Sequence, residues 1–136
     1  FFRGEEEERV RKAYSTLEEL EITHMAHNLT SELSGGQSKL VDIGRALMGE
    51  PELLLLDEPV AGVAGPLAEK IFNNLRNIVS QTGISILVIE HNMDFILRRG
   101  VDRIIVMDQG KVLMQGTPDE VKDSKEVIEA YLGGAG

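Results

Sequence analysis

The chain has 136 residues and a formal net charge of −9, with 14 Lys and Arg against 23 Asp and Glu. This length suits one domain with its own core. Because so acidic a surface would repel a polyanion, a nucleic-acid-binding protein is not expected. The chain has no cysteine, which excludes disulfides, thiolate metal sites and a cysteine nucleophile. Its apolar runs are far shorter than the roughly 20 residues of a membrane-spanning helix, and it does not begin like a signal peptide. We therefore expect a cytoplasmic protein that does not itself cross a membrane.

Helices are predicted first along the chain. Over residues 5–20, apolar side chains recur at the three-and-four spacing of an amphipathic helix. The same spacing predicts a second helix over residues 36–48. Strands begin only at Leu53, so we predict a helical subdomain at residues 1–49 and an α/β core at residues 50–136.

Two apolar strands, residues 53–56 and 84–89, flank a third predicted helix. Uninterrupted apolar strands are typical of a parallel sheet covered on both faces. Strand, helix and strand would form a crossover unit, expected to be right-handed. The buried stripe predicted for its helix comprises Leu67, Ile71, Leu75, Ile78 and Val79, with Gly83 as the cap.

The last third of the chain predicts a hairpin between helices. Residues 103–107 and 111–115 have the composition of strands, and Asp108-Gln109-Gly110 between them is typical of a tight turn. A helix is predicted before the hairpin, at residues 93–99, and short helices after it, at residues 118–132. The whole pattern indicates an incomplete α/β sheet that follows a helical subdomain.

Ser34-Gly35-Gly36 stands just before the second predicted helix. Unpaired backbone N–H groups and the positive end of the helix dipole favour an anion there. The two glycines let the backbone approach a phosphate closely. The same residues also suit an ordinary helix cap, so the motif alone leaves both interpretations open.

Carboxylates and an imidazole follow the two apolar strands. Asp57-Glu58 ends the first strand and His91 comes just after the second, at the edge where open α/β sheets bind ligands. Adjacent carboxylates can divide the chemistry, because one can hold hydrated magnesium while the other orients or deprotonates an attacking water. Taken singly, the carboxylates also suit a helix cap, and the histidine a structural role.

Three features follow one another along the chain: Leu33-Ser34-Gly35-Gly36-Gln37, a strand ending in Asp57-Glu58, and a strand followed by His91. In this order they resemble the ATP-binding-cassette (ABC) ATPases, and the resemblance extends over the whole chain. In that family they are the signature motif, the Walker B strand with the catalytic glutamate, and the switch histidine. Other segments resemble the ATPase subunits of branched-chain amino-acid and urea importers, and similarly those of lipopolysaccharide exporters. These segments are Asp57-Glu58-Pro59-Val60-Ala61-Gly62, Glu90-His91-Asn92-Met93-Asp94-Phe95, Gly116-Thr117-Pro118 and Tyr131-Leu132-Gly133.

The resemblance implies a partial P-loop NTPase (RecA-like) parallel sheet, with ATP and Mg²⁺ as cofactors. The signature motif, residues 33–37, would contact the ATP of the partner subunit in a head-to-tail dimer. Asp57 would hold magnesium through water, Glu58 would polarise the attacking water, and His91 would contact the γ-phosphate. Transmembrane permease subunits are implied as partners, and the inner face of the cell membrane as the location.

The sequence also departs from the family. A P-loop needs G-x-x-x-x-G-K-[ST], but the only Gly-Lys pair, Gly110-Lys111, is followed by Val112. We therefore expect the chain to be the catalytic part of a longer ATPase, without the Walker A half and inactive alone. After Ala61-Gly62 the family usually has a hydrophobic residue and then an Asp or Asn that bridges subunits, and here these positions are Val63 and Ala64. Ser38-Lys39 replaces the common Gln/Lys-Arg pair after the signature.

Two other functions stay open. One is a non-catalytic interaction fragment that pairs with a P-loop half. The other is a soluble cassette ATPase of DNA repair, although such proteins carry long coiled coils and basic surfaces that this chain lacks. On any of these interpretations, we expect the chain alone to expose a sheet edge and apolar surface that favour association.

Overall fold

The computed structural model describes residues 2–131. The chain forms two compact units, Phe1–Glu90 and His91–Gly136. The first unit contains helix α1 (Phe2–Glu19), helix α2 (Gly35–Leu47), strand β1 (Leu53–Asp57), helix α3 (Gly65–Thr82) and strand β2 (Ser85–Ile89). Two short 3₁₀ turns, Thr23–Met25 and Thr30–Glu32, lie between α1 and α2. The second unit contains helix α4 (Met93–Leu97), strands β3 (Ile104–Asp108) and β4 (Lys111–Gly116), and helices α5 (Pro118–Lys122) and α6 (Lys125–Tyr131).

Strands β1 and β2 pair in parallel, from Leu53 opposite Ser85 to Asp57 opposite Ile89. Helix α3 joins them, so the predicted crossover unit is present. Pro66 in the first turn of α3 fits a position that needs no N–H donor. Gly83 ends the helix with φ at +73°, and its N–H donates to the Val79 carbonyl at 2.9 Å. The glycine cap predicted from sequence is therefore confirmed.

One apolar core holds the first unit together, with buried residues from α2, β1, α3 and the segments next to α1 and β2. Leu17 of α1 and Ile86 of β2 are partly buried against it. Its buried members are Leu20, Ile22, Leu40, Ile43, Leu54, Ile71, Leu75, Ile78 and Ile84. Asn74 is buried on α3, and its side-chain amide donates to the Leu20 carbonyl at 3.1 Å, which satisfies both polar groups. Because the helical segments and β1 share this core, the compact units do not divide between residues 49 and 50. The subdomain boundary predicted there stays a prediction.

The apolar strands predict a parallel sheet covered on both faces, but the described part of the chain covers only one face. The exposed apolar surface expected for the chain alone is present on the other face. Leu54, Leu56 and Ile86 face the core of the first unit. The side chains of the opposite face are each more than half exposed, because no described residue packs over them; they are Leu53, Leu55, Leu87 and Ile89. Their apolar character indicates a sheet built to be covered on this side as well.

The second unit is built on the predicted hairpin. Strands β3 and β4 pair antiparallel, and Asp108 lies opposite Lys111. The two residues between them, Gln109 and Gly110, both have positive φ, +48° and +77°, as a type I′ turn requires. Buried residues of the hairpin and of the last two helices form a separate small core of Ile104, Val106, Val121 and Val127.

The helices after the hairpin confirm the predicted helical tail as far as Tyr131; residues 132–136 lie outside the described part of the chain. At the start of α5, Thr117 Oγ1 accepts from Glu120 N–H at 3.3 Å, and the Glu120 carboxylate accepts from Thr117 N–H at 2.7 Å. This reciprocal pair is a capping box. Tyr131 donates its hydroxyl proton to the Met107 carbonyl at 2.6 Å, which ties α6 to the hairpin.

A contact between Lys12 and Glu50 lowers the pKa of the Glu50 carboxyl. Lys12 of α1 donates a hydrogen bond to the Glu50 carboxylate, just before β1. That hydrogen bond, followed by the attraction of the lysine charge, holds the pKa of the Glu50 carboxyl below its ordinary value. Because the Glu50 side chain is 77% exposed, salt screens their attraction. None of the described helices is both long and apolar enough to cross a bilayer.

Candidate functional site

The Ser34 motif begins helix α2 with a capping box. Ser34 Oγ accepts from the N–H of Gln37 at 3.3 Å, and the Gln37 side-chain oxygen accepts from the N–H of Ser34 at 2.8 Å. Ser34 and Gly35 are exposed, so the first turn of α2 faces solvent. The cap interpretation and the anion interpretation are therefore compatible, since the serine that caps the helix also lies at its open end.

The two glycines of the motif differ in their surroundings. A Cβ on Gly35 would meet nothing within 4 Å. On Gly36, a Cβ would lie 2.3 Å from Cδ2 of Leu67 and 3.2 Å from Cγ1 of Val63. Both neighbours belong to the segment after β1: Val63 lies in the loop that precedes α3, and Leu67 lies in the first turn of α3. Gly36 is thus needed for the close packing of α2 on this segment, a reason the sequence analysis did not find.

The carboxylates lie at the carboxyl end of β1. Asp57 is the last residue of the strand and is exposed, while Glu58 directly after it is partly buried. Glu58 has φ at +45°, a conformation that residues with a Cβ rarely adopt. Its N–H donates to the Ile89 carbonyl of β2 at 2.9 Å, and its carbonyl accepts from the Ala61 N–H at 3.1 Å. The chain therefore turns sharply away from the sheet at Glu58.

Lys39 contacts the same turn from helix α2. Its ammonium group donates to the Glu58 carbonyl at 3.1 Å, in a partly buried position. Lys39 comes two residues after Gln37, and the sequence analysis noted it only as a departure from the family pattern. One feature of the sequence could have indicated this contact: a lysine lies one helical turn after Ser34-Gly35, on the helix that precedes β1.

The donor set at this edge suits magnesium better than a tightly held transition metal. Within residues 3–131, no group of three or more His, Asp or Glu side chains gathers as a metal site. Mg²⁺ commonly uses one or two carboxylates together with water and substrate phosphate. The exposed Asp57 carboxylate is a suitable single ligand of that kind.

His91 is exposed and is the first residue of the second unit. The next residue, Asn92, begins helix α4, and its side-chain oxygen accepts from the N–H of Phe95 at 3.0 Å. The predicted strand 84–89 does end just before this segment, as the sequence indicated. The contact of His91 with a γ-phosphate stays a prediction.

Comparison with known proteins gives a family for these motifs. Residues 2–61 match the family model described as ABC transporter, and residues 111–136 match the model described as branched-chain amino acid ATP-binding cassette transporter. The chain belongs to the ABC transporter ATP-binding cassettes.

Named relatives of this cassette include amino-acid transport proteins. A probable branched-chain amino acid transport ATP-binding protein LivG of Methanocaldococcus jannaschii is 43% identical over an alignment of 132 residues, which covers 94% of this chain and 51% of the relative. The high-affinity branched-chain amino acid transport ATP-binding protein BraF of Pseudomonas aeruginosa is 35% identical, covering 98% of this chain and 52% of the relative. The lipopolysaccharide export system ATP-binding protein LptB of Haemophilus influenzae is 37% identical, covering 93% and 52%.

Solved structures of cassettes share the fold. The ADP conformation of an ATP-binding cassette of an ABC transporter aligns with a TM-score of 0.82 and 42% identity, over 93% of this chain and 50% of that one. A second cassette structure, cbiO1 of Clostridium perfringens, aligns at 0.81 and 35% identity, over 91% and 49%. The predicted α/β cassette fold is confirmed. The chain spans about half the length of the relatives and structures it matches.

Proposed function

We propose that this chain is the signature and Walker B half of an ATPase subunit that energises an ABC importer of the branched-chain amino-acid type. The observation that carries the proposal is the arrangement within the first unit. A parallel strand ends in Asp57-Glu58, and the capped signature helix packs against the segment that follows these carboxylates.

The proposed mechanism assigns one task to each group. Asp57 would hold Mg²⁺ through water, and the magnesium would neutralise charge on the phosphates. Glu58 orients and polarises the water that attacks the γ-phosphorus, and His91 contacts the γ-phosphate. The signature motif, residues 33–37, places the open end of helix α2 against the ATP held by a partner subunit. Phosphoryl transfer needs chiefly such positioning and charge stabilisation from a protein.

The proposal requires partners. The chain has no P-loop, so backbone N–H groups and a lysine that grip the phosphates must come from residues outside it. We propose a head-to-tail dimer of ATPase subunits that works with transmembrane permease subunits at the inner face of the cell membrane. The relatives named for branched-chain amino acid transport support the importer type, and the chain alone is proposed to be inactive.

A chimera tests the assignment of Glu58. This chain replaces the aligned half of the M. jannaschii LivG protein, and ATP hydrolysis is measured with and without Glu58→Gln. Because a positioned general base contributes about 10²- to 10⁴-fold, we expect Glu58→Gln to lower kcat by at least about 100-fold. The matched control is Glu52→Gln, which changes an exposed carboxylate directly before β1 and should leave kcat unchanged.

The alternative, a non-catalytic interaction fragment, predicts a different result. A chimera that folds and pairs but hydrolyses no ATP, beside an active parent LivG protein, would support that alternative. Equal activity of the wild-type and Glu58→Gln chimeras would show that hydrolysis does not depend on this carboxylate.

A further inference from the structure

The backbone at Glu58 is unfavourable on its own. A residue with a Cβ is less stable at φ +45° than in an ordinary backbone conformation. Such a conformation persists only where neighbouring groups fix it. The contacts around Glu58 therefore indicate which residues determine the direction of its side chain.

Three hydrogen bonds fix this turn from three sides. Within the turn, the Ala61 N–H donates to the Glu58 carbonyl at 3.1 Å. From β2, the Ile89 carbonyl accepts the Glu58 N–H at 2.9 Å. From α2, the Lys39 ammonium donates to the Glu58 carbonyl at 3.1 Å. Of these, only the Lys39 contact comes from a side chain, and it reaches across 19 positions of sequence.

Helix α2 is held firmly enough against this segment for Lys39 to act. Gly36 lies against Val63 and Leu67 with no room for a Cβ, and Leu40, directly after Lys39, is only 1% exposed. A charged donor also forms a stronger hydrogen bond than a neutral one. The ammonium group is therefore presented to the Glu58 carbonyl from a packed, rigid helix.

We propose that Lys39 is a positioning residue that holds the backbone of Glu58 in its strained conformation and so aims the carboxylate that activates water. The proposal rests on the proposed function for its effect on catalysis. Lys39 need not touch nucleotide, magnesium or water, because it acts through the Glu58 backbone.

The location of Lys39 gives this contact a second consequence. Lys39 lies on the helix whose first turn is the signature motif, residues 33–37. A displacement of α2 when that motif meets the ATP of a partner subunit would pass through Lys39 to the Glu58 carbonyl.

Hydrogen exchange tests the positioning role without any ATPase assay. In the 136-residue chain, Lys39→Met removes the donor but keeps an unbranched apolar stem. Because the loss of a hydrogen bond from a charged group destabilises the turn, we expect amide exchange in peptides containing residues 58–61 to rise about tenfold. Lys39→Arg should restore protection. Lys70→Met, which removes a lysine paired with Glu21 at 2.9 Å, should leave these peptides unchanged.

The LivG chimera supplies the catalytic arm of the test. We expect Lys39→Met to lower kcat about tenfold, in line with the loss of one charged hydrogen bond, with the KM for ATP unchanged. Lys39→Arg should recover most of kcat, and Lys70→Met should behave as the wild type. A change in KM rather than kcat would contradict a role in positioning Glu58.

The outcomes separate this inference from the proposed function. An inactive wild-type chimera would overturn the proposed function, while the exchange experiment still decides whether Lys39 holds the turn. Unchanged exchange at residues 58–61 and unchanged kcat in Lys39→Met would overturn the inference alone. Faster exchange throughout the first unit in Lys39→Met would also overturn it, because the lysine would then serve only general stability.

Discussion

At the scale of single residues, Gly35 and Gly36 look alike in sequence and differ in the fold. Gly35 has open space where a side chain would be, whereas Gly36 is packed against Val63 and Leu67. From the sequence, both glycines are expected to let the backbone approach a phosphate closely. The structure adds a second, independent requirement at Gly36, namely the packing of α2 against the segment after Glu58.

Matched alanine substitutions test this difference. We expect Gly36→Ala to lower the free energy of unfolding by about 1–3 kcal/mol, because the new methyl group overpacks the contact with Leu67. Gly35→Ala should be neutral or slightly stabilising, since alanine favours helix over glycine. Denaturant unfolding of the two variants in the LivG chimera gives the comparison. Equal stabilities would show that Leu67 moves aside freely, and Leu67→Ala should relieve the defect of Gly36→Ala.

At the scale of elements, helix α2 depends on Ser34 for its start and offers the same residue to a phosphate. Ser34→Ala removes the acceptor for the Gln37 N–H and should lower the free energy of unfolding by about 1 kcal/mol. Ser34→Asp keeps a good cap and complements the helix dipole. We expect Ser34→Asp to be as stable as the wild type but to lower ATPase activity of the chimera about tenfold or more, because its charge repels the γ-phosphate.

Stability and kcat, measured on the same preparations, separate the two roles of Ser34. Thr117→Ala removes an equivalent cap from α5 and is the control for a loss of stability away from the site. If Ser34→Asp hydrolysed ATP at the wild-type rate, the motif would be a helix cap only.

Local sequence signals predicted the elements well. Periodicity and turn chemistry placed α2, β1, β2 and the hairpin within one or two residues of their observed bounds, because these signals act between near neighbours. The contacts of Lys39 with Glu58 and of Gly36 with Leu67 join residues far apart in sequence, and nothing in a local pattern records such a pairing. Apolar strands indicate the surroundings that they need, including neighbours outside this chain. The sequence therefore predicted both a sheet with two apolar faces and an apolar surface exposed in this chain alone.

At the scale of the whole molecule, the uncovered face of the β1–β2 sheet dominates the expected behaviour. Four large apolar side chains lie together there, each more than half exposed: Leu53, Leu55, Leu87 and Ile89. Contiguous apolar surface of this kind drives association, and open strand edges assist it. The relatives are about twice as long as this chain, so we infer that their additional residues cover this face.

Light scattering after size-exclusion chromatography tests this expectation on the 136-residue chain. We expect the wild type to form oligomers that dissociate on dilution, and Leu55→Thr with Leu87→Thr to shift the chain towards the monomer, because both changes keep strand propensity and remove apolar area. Leu29→Thr is the control, since Leu29 is 67% exposed but lies outside the sheet. A monomeric wild type at all concentrations would contradict the expectation.

The backbone of Glu58 also bears on how stable such a cassette can become. A chain selected for stability alone would place glycine or asparagine at φ +45°, since these residues tolerate that region. The proposed chemistry demands a carboxylate instead. Selection for hydrolysis and selection for a more stable fold thus oppose each other at one position, and stability given up there must be recovered elsewhere in the cassette.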